Sequence, residues 1–260
     1  MADISPESLW DMAEGLRSSS ERPLIHCIMN YVAAADCANI VLAAGAKPVM
    51  ADCAEETAEI AARASAVVLN MGTFSPERGN AMINAAKAAE SKHIPVILDP
   101  VGLSASVMRK NWFERMMNEL KISAVKGNLH EIRAAAGIEE SDERLVRAVA
   151  ERYGCAVMLT GSSDFIADES GRAWRIDNGT EILSAVTGTG CMTGALGGAF
   201  AAYSGNAAAG CAAAVALMDI CGEIAAEKTS GTGSFRVRLF DLISQIKRGE
   251  YLGRIRIREL

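Results

Sequence analysis

The stretch Thr187-Gly188-Thr189-Gly190-Cys191 places two glycines, two hydroxyls and a thiol within five consecutive residues. Glycine lets the backbone approach a ligand closely. The small residues that follow predict a helix whose free N–H groups and dipole point back at the turn. We therefore predict that Gly188, Thr189 and Gly190 form an anion hole for the charge on a transferring phosphoryl group. Taken alone, the turn has an equally good structural explanation. It fits a tight chain reversal with a close helix contact as well as it fits an anion hole.

Spacing excludes two other phosphate-binding patterns at this turn. No Gly-Lys-Ser/Thr follows it, so it is not a Walker loop. It comes late in the chain and after a predicted hairpin, whereas the dinucleotide fingerprint follows a strand early in a βαβ unit. The sequence therefore disfavours a nicotinamide-dependent oxidoreductase.

Polar residues also follow or end several short apolar runs, namely Asn30, Asn70, Asp99, Lys126 and Thr160. Any one of them fits an ordinary turn or capping role. In doubly wound sheets, however, ligands bind beyond the carboxyl ends of the strands. Five polar groups at one predicted sheet edge therefore favour a ligand site over five separate turns.

Alternating apolar runs and helical patterns must position these groups. Such alternation predicts parallel βαβ units, and strands that are apolar throughout indicate a sheet covered on both faces. The predicted strands span residues 24–28, 48–50, 66–71, 96–98, 122–125 and 156–160, and the predicted helices span residues 31–44, 55–64, 76–92, 106–120 and 129–136. We predict an α/β fold with three αβα layers and a mostly parallel sheet.

The pattern changes after residue 160. Residues 165–167 and 172–176 predict an antiparallel hairpin, and helices are predicted over 191–203, 207–228 and 235–247. The tail at 254–258 alternates like a strand, although a solvated basic end is the alternative. Since no linker or repeat interrupts the chain, we predict one domain over residues 1–260.

Composition limits the class of partner and the compartment. The 260 residues carry a net charge of −6, which argues against nucleic-acid and acidic-membrane binding. Aromatic residues make up only 5%, so close helix contacts between small residues should build the core. Six of the seven cysteines, all but Cys191, are predicted to be buried free thiols of a cytoplasmic protein. The acidic N-terminus is not a signal peptide, and the apolar run at 207–218 is too short and too rich in alanine to span a bilayer.

Seven blocks, in order, closely resemble the hydroxyethylthiazole kinase family between about residues 22 and 246. They are Pro23-Leu24-Ile25-His26, Ala46-Lys47-Pro48-Val49-Met50-Ala51, Leu69-Asn70-Met71-Gly72-Thr73, Leu98-Asp99-Pro100-Val101-Gly102, Lys126-Gly127-Asn128 with Glu131, Thr187-Gly188-Thr189-Gly190-Cys191, and Gly231-Thr232-Gly233-Ser234-Phe235. The resemblance implies a ribokinase-like fold and a homotrimer with its substrate site near a subunit boundary. It also implies transfer of the ATP γ-phosphoryl group to the primary alcohol of 5-(2-hydroxyethyl)-4-methylthiazole, in thiamine salvage.

Roles for the site residues follow from the same resemblance. The thiazole is expected near Met50, Gly188 and Asn30, and ATP is expected near Lys126, Asn128 and Thr160. A Mg²⁺ ion is expected near Asp99 and Glu131, partly through water. Cys191 would accept the proton of the alcohol, and the helix N-terminus would lower its pKa.

Three departures from the family pattern concern the nucleotide side and the first strand. Lys126 stands where Arg is usual, Gly161-Ser162 replaces Gly-Glu, and Met29 replaces Thr. A lysine lacks the fork of arginine, so its phosphate contacts are looser. Two alternatives remain open: a ribokinase-like enzyme for another substrate, such as a hydroxymethylpyrimidine kinase or a hydrate dehydratase, and a nucleotide-binding regulator without turnover.

Overall fold

A computed structural model describes residues 3–260, and its strands form one mixed sheet. The strand order is β2-β1-β3-β4-β5-β6-β7-β8-β9, and neighbouring strands from β2 to β6 are parallel whereas those from β6 to β9 are antiparallel. The strands are β1 (Leu24–Ile28), β2 (Lys47–Met50), β3 (Ala66–Asn70), β4 (Val96–Asp99), β5 (Ala124–Asn128), β6 (Ala156–Thr160), β7 (Asp164–Ala167), β8 (Ala173–Ile176) and β9 (Ile257–Glu259).

Helices connect the parallel strands and then follow the hairpin in a C-terminal group. They are α1 (Pro6–Ser18), α2 (Ala34–Ala43), α3 (Thr57–Ala61), α4 (Pro76–Glu90), α5 (Val107–Glu119), α6 (Leu129–Ala136), α7 (Asp142–Tyr153), α8 (Thr189–Ser204), α9 (Ala207–Glu227), α10 (Thr232–Gln245) and α11 (Arg248–Leu252). Local chemistry sets several of their starts: Ser75 caps α4 and precedes Pro76 at its first position, where a missing N–H costs nothing.

The core is divided between the two faces of the sheet, as the period-two alternation of a strand requires. In β3, Ala66 and Val68 face one hydrophobic cluster while Val67 and Leu69 face the other. The first cluster contains residues of α1, α2, α8, α9 and α10, and the second contains residues of α3 to α7. The prediction of a three-layer α/β fold with a mostly parallel sheet is therefore confirmed.

Small residues allow the helices to approach each other and the sheet. A Cβ atom placed on Gly210 of α9 would lie 2.5 Å from the backbone N of Ala201 in α8, and one placed on Gly198 would lie 2.4 Å from Val68 Cγ2. Neither position accepts a larger residue without movement of its neighbour. The core of close helix contacts expected from composition is present.

Several predicted boundaries were wrong. Strand β5 begins at Ala124 rather than 122 and continues to Asn128, so Lys126 lies inside the strand instead of after it. Helix α8 begins at Thr189, two residues earlier than predicted, which places Cys191 inside its first turn. The tail forms β9, which pairs with β8, and is therefore not merely a solvated basic end.

Two predictions about burial also needed correction. Cys53 is exposed, in contrast to the five buried thiols Cys27, Cys37, Cys155, Cys211 and Cys221. Helix α9 has 21 residues, which is long enough to cross a membrane, so shortness was the wrong reason to exclude a span. Its apolar window is 89% buried inside the protein, as in the core helix of a globular fold.

Candidate active site

Three polar side chains project from neighbouring strands onto the face that α8 covers, Asn70 and Asp99 from strand ends and Lys126 from the middle of β5. Asn70 and Asp99 are register partners at the ends of β3 and β4. Each lies two residues after a member of the hydrophobic cluster that faces α8: Asn70 after Val68 and Asp99 after Ile97. Lys126 likewise lies two residues after Ala124, which belongs to the same cluster. Because side chains two residues apart share a face, Asn70, Asp99 and Lys126 all point toward α8.

The start of α8 supplies the opposite wall. Gly188 is its N-cap with φ of +90°, a conformation that favours glycine, and Met192 N donates to Gly188 O over 2.8 Å. A Cβ atom placed on Gly190 would lie 3.0 Å from Lys126 Nζ. The first-turn N–H groups and the lysine ammonium therefore lie together, as an anion-binding site requires.

Asn70 connects the polar groups of the site. Its Nδ2 donates to Asp99 Oδ2 over 2.6 Å and to Cys191 Sγ over 3.2 Å, and its Oδ1 accepts from Asn30 Nδ2 over 2.9 Å. Asn30 Nδ2 also donates to Cys191 Sγ over 3.2 Å. The sequence marked Asn70 as a polar strand end but gave it no role. Asn70 and Asp99 end adjacent strands and point to the same face of the sheet. That shared position was the sequence signal for a role of Asn70 in the site.

The electrostatics of Cys191 contradict the expectation of a lowered pKa. Burial raises the pKa of the thiol and the Asp99 carboxylate raises it further, whereas Lys126 and the hydrogen bonds from Asn70 and Asn30 lower it less. The net direction is upward, because the helix N-terminus acts on a group that the fold has largely removed from water. Cys191 is therefore a thiol at neutral pH in the free protein, held by two amide donors that favour its thiolate.

Asp99 and Lys126 form a buried ion pair. Asp99 is fully buried and Lys126 is 4% exposed, and Asp99 Oδ1 lies 3.6 Å from Lys126 Nζ. Burial raises the pKa of Asp99 to about 6, although Lys126 opposes the shift. Burial lowers the pKa of Lys126, but the nearby carboxylates of Asp99 and Glu131 outweigh it and the net shift is upward. The ammonium stays charged next to the anion hole.

The two predicted magnesium ligands do not form a ready-made cage. Glu131 accepts from Gly102 N with Oε1 and from Asn128 N with Oε2, each over 2.9 Å. Asp99 Oδ1 is buried and accepts no hydrogen bond from the residues that the structure describes. Within residues 3–260, no group of three or more His, Cys, Asp or Glu side chains is arranged to hold a metal. The donor set fits an ion that keeps water and substrate oxygens among its ligands, as Mg²⁺ does.

A cavity of about 360 Å³ brings together residues predicted for ATP and for the anion hole. Thr160, Thr189 and Gly190 line it, together with Asp164 and Asp219. Sequence reasoning missed this buried acidic pair; the one available signal was a carboxylate at Asp219 inside an apolar helix. Burial raises the pKa of Asp164 to about 6, and burial together with Asp164 raises the pKa of Asp219 well above its ordinary value.

The remaining predicted residues lie around this centre. Asn128 uses its side chain to cap α6, accepting from Glu131 N over 3.0 Å, so its role toward ATP stays a prediction. Met50 ends β2, next to β1, and is 38% exposed. A Cβ atom placed on Gly188 would lie 3.0 Å from Ala33 Cβ, which puts the α8 cap against the chain that follows Asn30.

Comparisons with known proteins identify the family. Residues 16–249 match the model of the hydroxyethylthiazole kinase family. The hydroxyethylthiazole kinase of Clostridium beijerinckii is 40% identical over 246 residues, covering 87% of this chain and 89% of the relative. A solved structure of a hydroxyethylthiazole kinase protein from Pyrococcus horikoshii OT3 superimposes with a TM-score of 0.89 at 34% identity, over 98% of each chain.

A more distant structure shows how widely the fold is shared. A ribokinase-like superfamily protein from Enterococcus faecalis V583 superimposes with a TM-score of 0.66 at 14% identity, covering 90% of this chain and 93% of that one. This likeness shows the fold alone. The match to the family model over residues 16–249 and the 40% identity are more specific. The chain belongs to the hydroxyethylthiazole kinase family.

Proposed function

We propose that this protein transfers the γ-phosphoryl group of ATP to the primary alcohol of 5-(2-hydroxyethyl)-4-methylthiazole, a step of thiamine salvage. The observation that carries the proposal is the convergence of Cys191, its two amide donors and the buried Lys126 at the N-terminus of α8. That arrangement sets a proton acceptor beside a site for negative charge. Family membership supplies the substrate.

The proposed chemistry is an in-line displacement at phosphorus. The alcohol oxygen forms a bond to the γ-phosphorus, the bond from phosphorus to the bridging oxygen of ADP breaks, and the alcohol proton passes to Cys191 Sγ. Phosphoryl transfer has a loose transition state, so most of the acceleration comes from positioning and charge stabilisation. The N–H groups of Thr189 and Gly190 and the Lys126 ammonium supply that stabilisation. Cys191 adds general-base help of ~10²–10⁴-fold.

Asp99 and Glu131 are the proposed residues for Mg²⁺, in part through water. Asp99 Oδ1 supports this placement: it accepts no hydrogen bond from the described residues, and its ion-pair partner Lys126 Nζ stands 3.6 Å away, so it can accept a further polar ligand such as a hydrated cation. When bound, the ion would neutralise charge on the phosphates. Lys126, Asn128 and Thr160 are the proposed contacts to ATP, while Asn30, Met50 and Gly188 are proposed to contact the thiazole alcohol.

We further propose a homotrimer in the cytoplasm. Exposed apolar side chains support an interface beside the alcohol site: Tyr31 and Val32, directly after Asn30, are 68% and 69% exposed, and Met50 is 38% exposed. Exposed apolar side chains next to a binding site favour burial against another subunit. Sedimentation would test the stoichiometry. Reduced buried thiols such as Cys27 and Cys211 suit a reducing compartment.

One assay tests the main proposal: ADP release from Mg-ATP with the thiazole alcohol, with a hydroxymethylpyrimidine alcohol, and with neither. Thiazole-dependent release supports the proposed function. Release only with the pyrimidine would assign the site to another alcohol. ATP binding without release in any arm would favour a regulator without turnover, the alternative that the Lys126 and Ser162 departures leave open.

A further inference from the structure

Arg78, in the first turn of α4, is a buried cation outside the group of residues discussed above. Its side chain is only 6% exposed. Removing a guanidinium charge from water is costly, so buried arginines are usually paired. Nη1 and Nη2 of Arg78 have partners, whereas its Nε has none among the described residues. Its partners therefore show what the residue holds in place.

The partners of Arg78 lie in the loops after β1 and β2. Nη2 donates to Met29 O over 2.6 Å, and Nη1 donates to Asp52 Oδ2 over 2.9 Å. The guanidinium stacks 4.5 Å from the centre of the Tyr31 ring, and the Tyr31 hydroxyl donates to the same Asp52 oxygen over 2.9 Å. One side chain thus joins two loops that share no strand pairing beyond Cys27 and Met50.

These loops carry the residues proposed to contact the alcohol. Asn30 lies between Met29 and Tyr31, both of which Arg78 contacts, and Met50 lies two residues before Asp52. Asn30 in turn donates to Cys191 Sγ. The planar guanidinium of Arg78 donates two hydrogen bonds in different directions, so it fixes the orientation of the two loops as well as the distance between them. A lysine ammonium would not fix the orientation.

We propose that Arg78 is a positioning residue for the alcohol substrate, which holds Asn30 and Met50 in register by clamping the loops after β1 and β2. It does not touch the reacting atoms. The inference rests on the proposed function, because it assigns these loops to the alcohol site. ATP is proposed to bind at the other end of the site, near Thr160. A substitution at Arg78 should therefore change the KM for the alcohol and leave the KM for ATP unchanged.

The test compares wild type with Arg78→Met and Arg78→Lys, varying each substrate while the other saturates. Arg78→Met should raise the KM for the thiazole alcohol about 10- to 100-fold, as loss of a charge-assisted hydrogen bond does. The KM for ATP should not change, and Arg78→Lys should fall between. Arg115→Met is the matched control, since Arg115 also stacks on a ring and pairs with a carboxylate but lies on the exposed face of α5.

A second measurement needs no turnover. The pH midpoint of Cys191 alkylation, resolved by peptide mass spectrometry, reports the hydrogen bond from Asn30, which lowers the pKa of the thiol. The midpoint should move up in Arg78→Met and stay in Arg115→Met. If wild type releases no ADP with the alcohol, the proposed function fails, and this midpoint still decides whether Arg78 positions Asn30 against Cys191. Unchanged midpoint and alcohol KM, or equal rises in both KM values with a lower melting temperature, would overturn it.

Discussion

Asn70 donates a hydrogen bond from its Nδ2 to the Sγ of Cys191 over 3.2 Å. The same Nδ2 also donates to Asp99 over 2.6 Å. One fully buried amide therefore joins the proposed proton acceptor to the proposed magnesium carboxylate. Because an N–H donor favours the thiolate over the thiol, Asn70 partly offsets the upward pKa shift that burial imposes on Cys191.

Replacing Asn70 should therefore slow the chemical step. We expect Asn70→Ala to lower kcat by about 10- to 100-fold, the range for loss of a hydrogen bond to a charged group. The pH at which the rate reaches half its maximum should also rise, because Cys191 loses a donor. Asn84→Ala is the control, as Asn84 is an exposed amide of α4 that donates to the backbone at Ala54 O. A normal kcat with an unshifted pH profile would show that Asn70 has no role in proton transfer.

Cys191→Ala tests the base itself. We expect kcat to fall by up to ~10²–10⁴-fold, with measurable turnover left because positioning and charge stabilisation remain. Burial raises the pKa of Cys191, so the wild-type rate should climb with pH above neutrality as thiolate forms, and the variant should lose that climb. Steady-state rates measured across pH would test the fall in kcat and the loss of the pH-dependent climb. The control is Cys155→Ala, because Cys155 precedes β6 at the amino ends of the parallel strands, opposite the site. Unaltered turnover in Cys191→Ala would reject the base role.

Local pattern in the sequence was enough to predict the fold class and the place of the site. Apolar runs ended in Asn70 and Asp99, and parallel strands bring such ends to one edge. The sequence also allows the prediction that Lys126 and Ala124, two residues apart, share a face of β5. The strand itself was predicted to begin two residues too early, so the lysine was placed after it. The small residues around Gly210 correctly indicated close helix packing.

Features that depend on tertiary contacts were not predictable in this way. Arg78 contacts Asp52 across 26 residues of sequence, and a single chain gives no sign of that pairing. Asp164 and Asp219 meet across the same cavity from a strand and a helix. The pKa of Cys191 was predicted from its helix alone, but the burial and the Asp99 charge that reverse the direction come from other elements.

Gly190 offers a test of the anion hole with a close internal match. It is the second residue of α8 after Thr189, as Gly233 is the second residue of α10 after Thr232. A Cβ atom on Gly190 would meet Lys126 Nζ at 3.0 Å, whereas one on Gly233 would meet nothing within 4 Å. Gly190→Val should abolish transfer and leave the protein folded, and Gly233→Val should keep activity.

Gly190 is a cleaner position for this experiment than Gly188. The φ of Gly188 is +90°, so Gly188→Val strains the backbone and confounds lost activity with lost stability. Turnover and melting temperature measured together separate the two effects. Full activity in Gly190→Val would refute the placement of the anion hole at this helix start.

The pH dependence of Mg-ATP use should report Asp99. Burial raises its pKa to about 6, so the carboxylate proposed for Mg²⁺ forms only as pH rises through that value. We expect kcat/KM for Mg-ATP to increase between about pH 5 and 7 with a midpoint near 6, and Asp99→Asn to remove this limb along with most activity. Asp241→Asn, an exposed carboxylate of α10, is the control.

The same shift has a signature in stability that does not depend on catalysis. The folded protein holds the Asp99 proton up to about pH 6, whereas an unfolded chain releases it near the ordinary value of 3.8. Between those values the folded state binds more protons, so the contribution of Asp99 to the free energy of unfolding decreases as pH rises through the window. Urea unfolding measured from about pH 3.5 to about 7, a range that includes both pKa values of Asp99, should show a shallower decrease in the free energy of unfolding in Asp99→Asn than in wild type. An identical pH dependence in both proteins would mean that Asp99 titrates normally, and the acid limb of activity would then belong to another group.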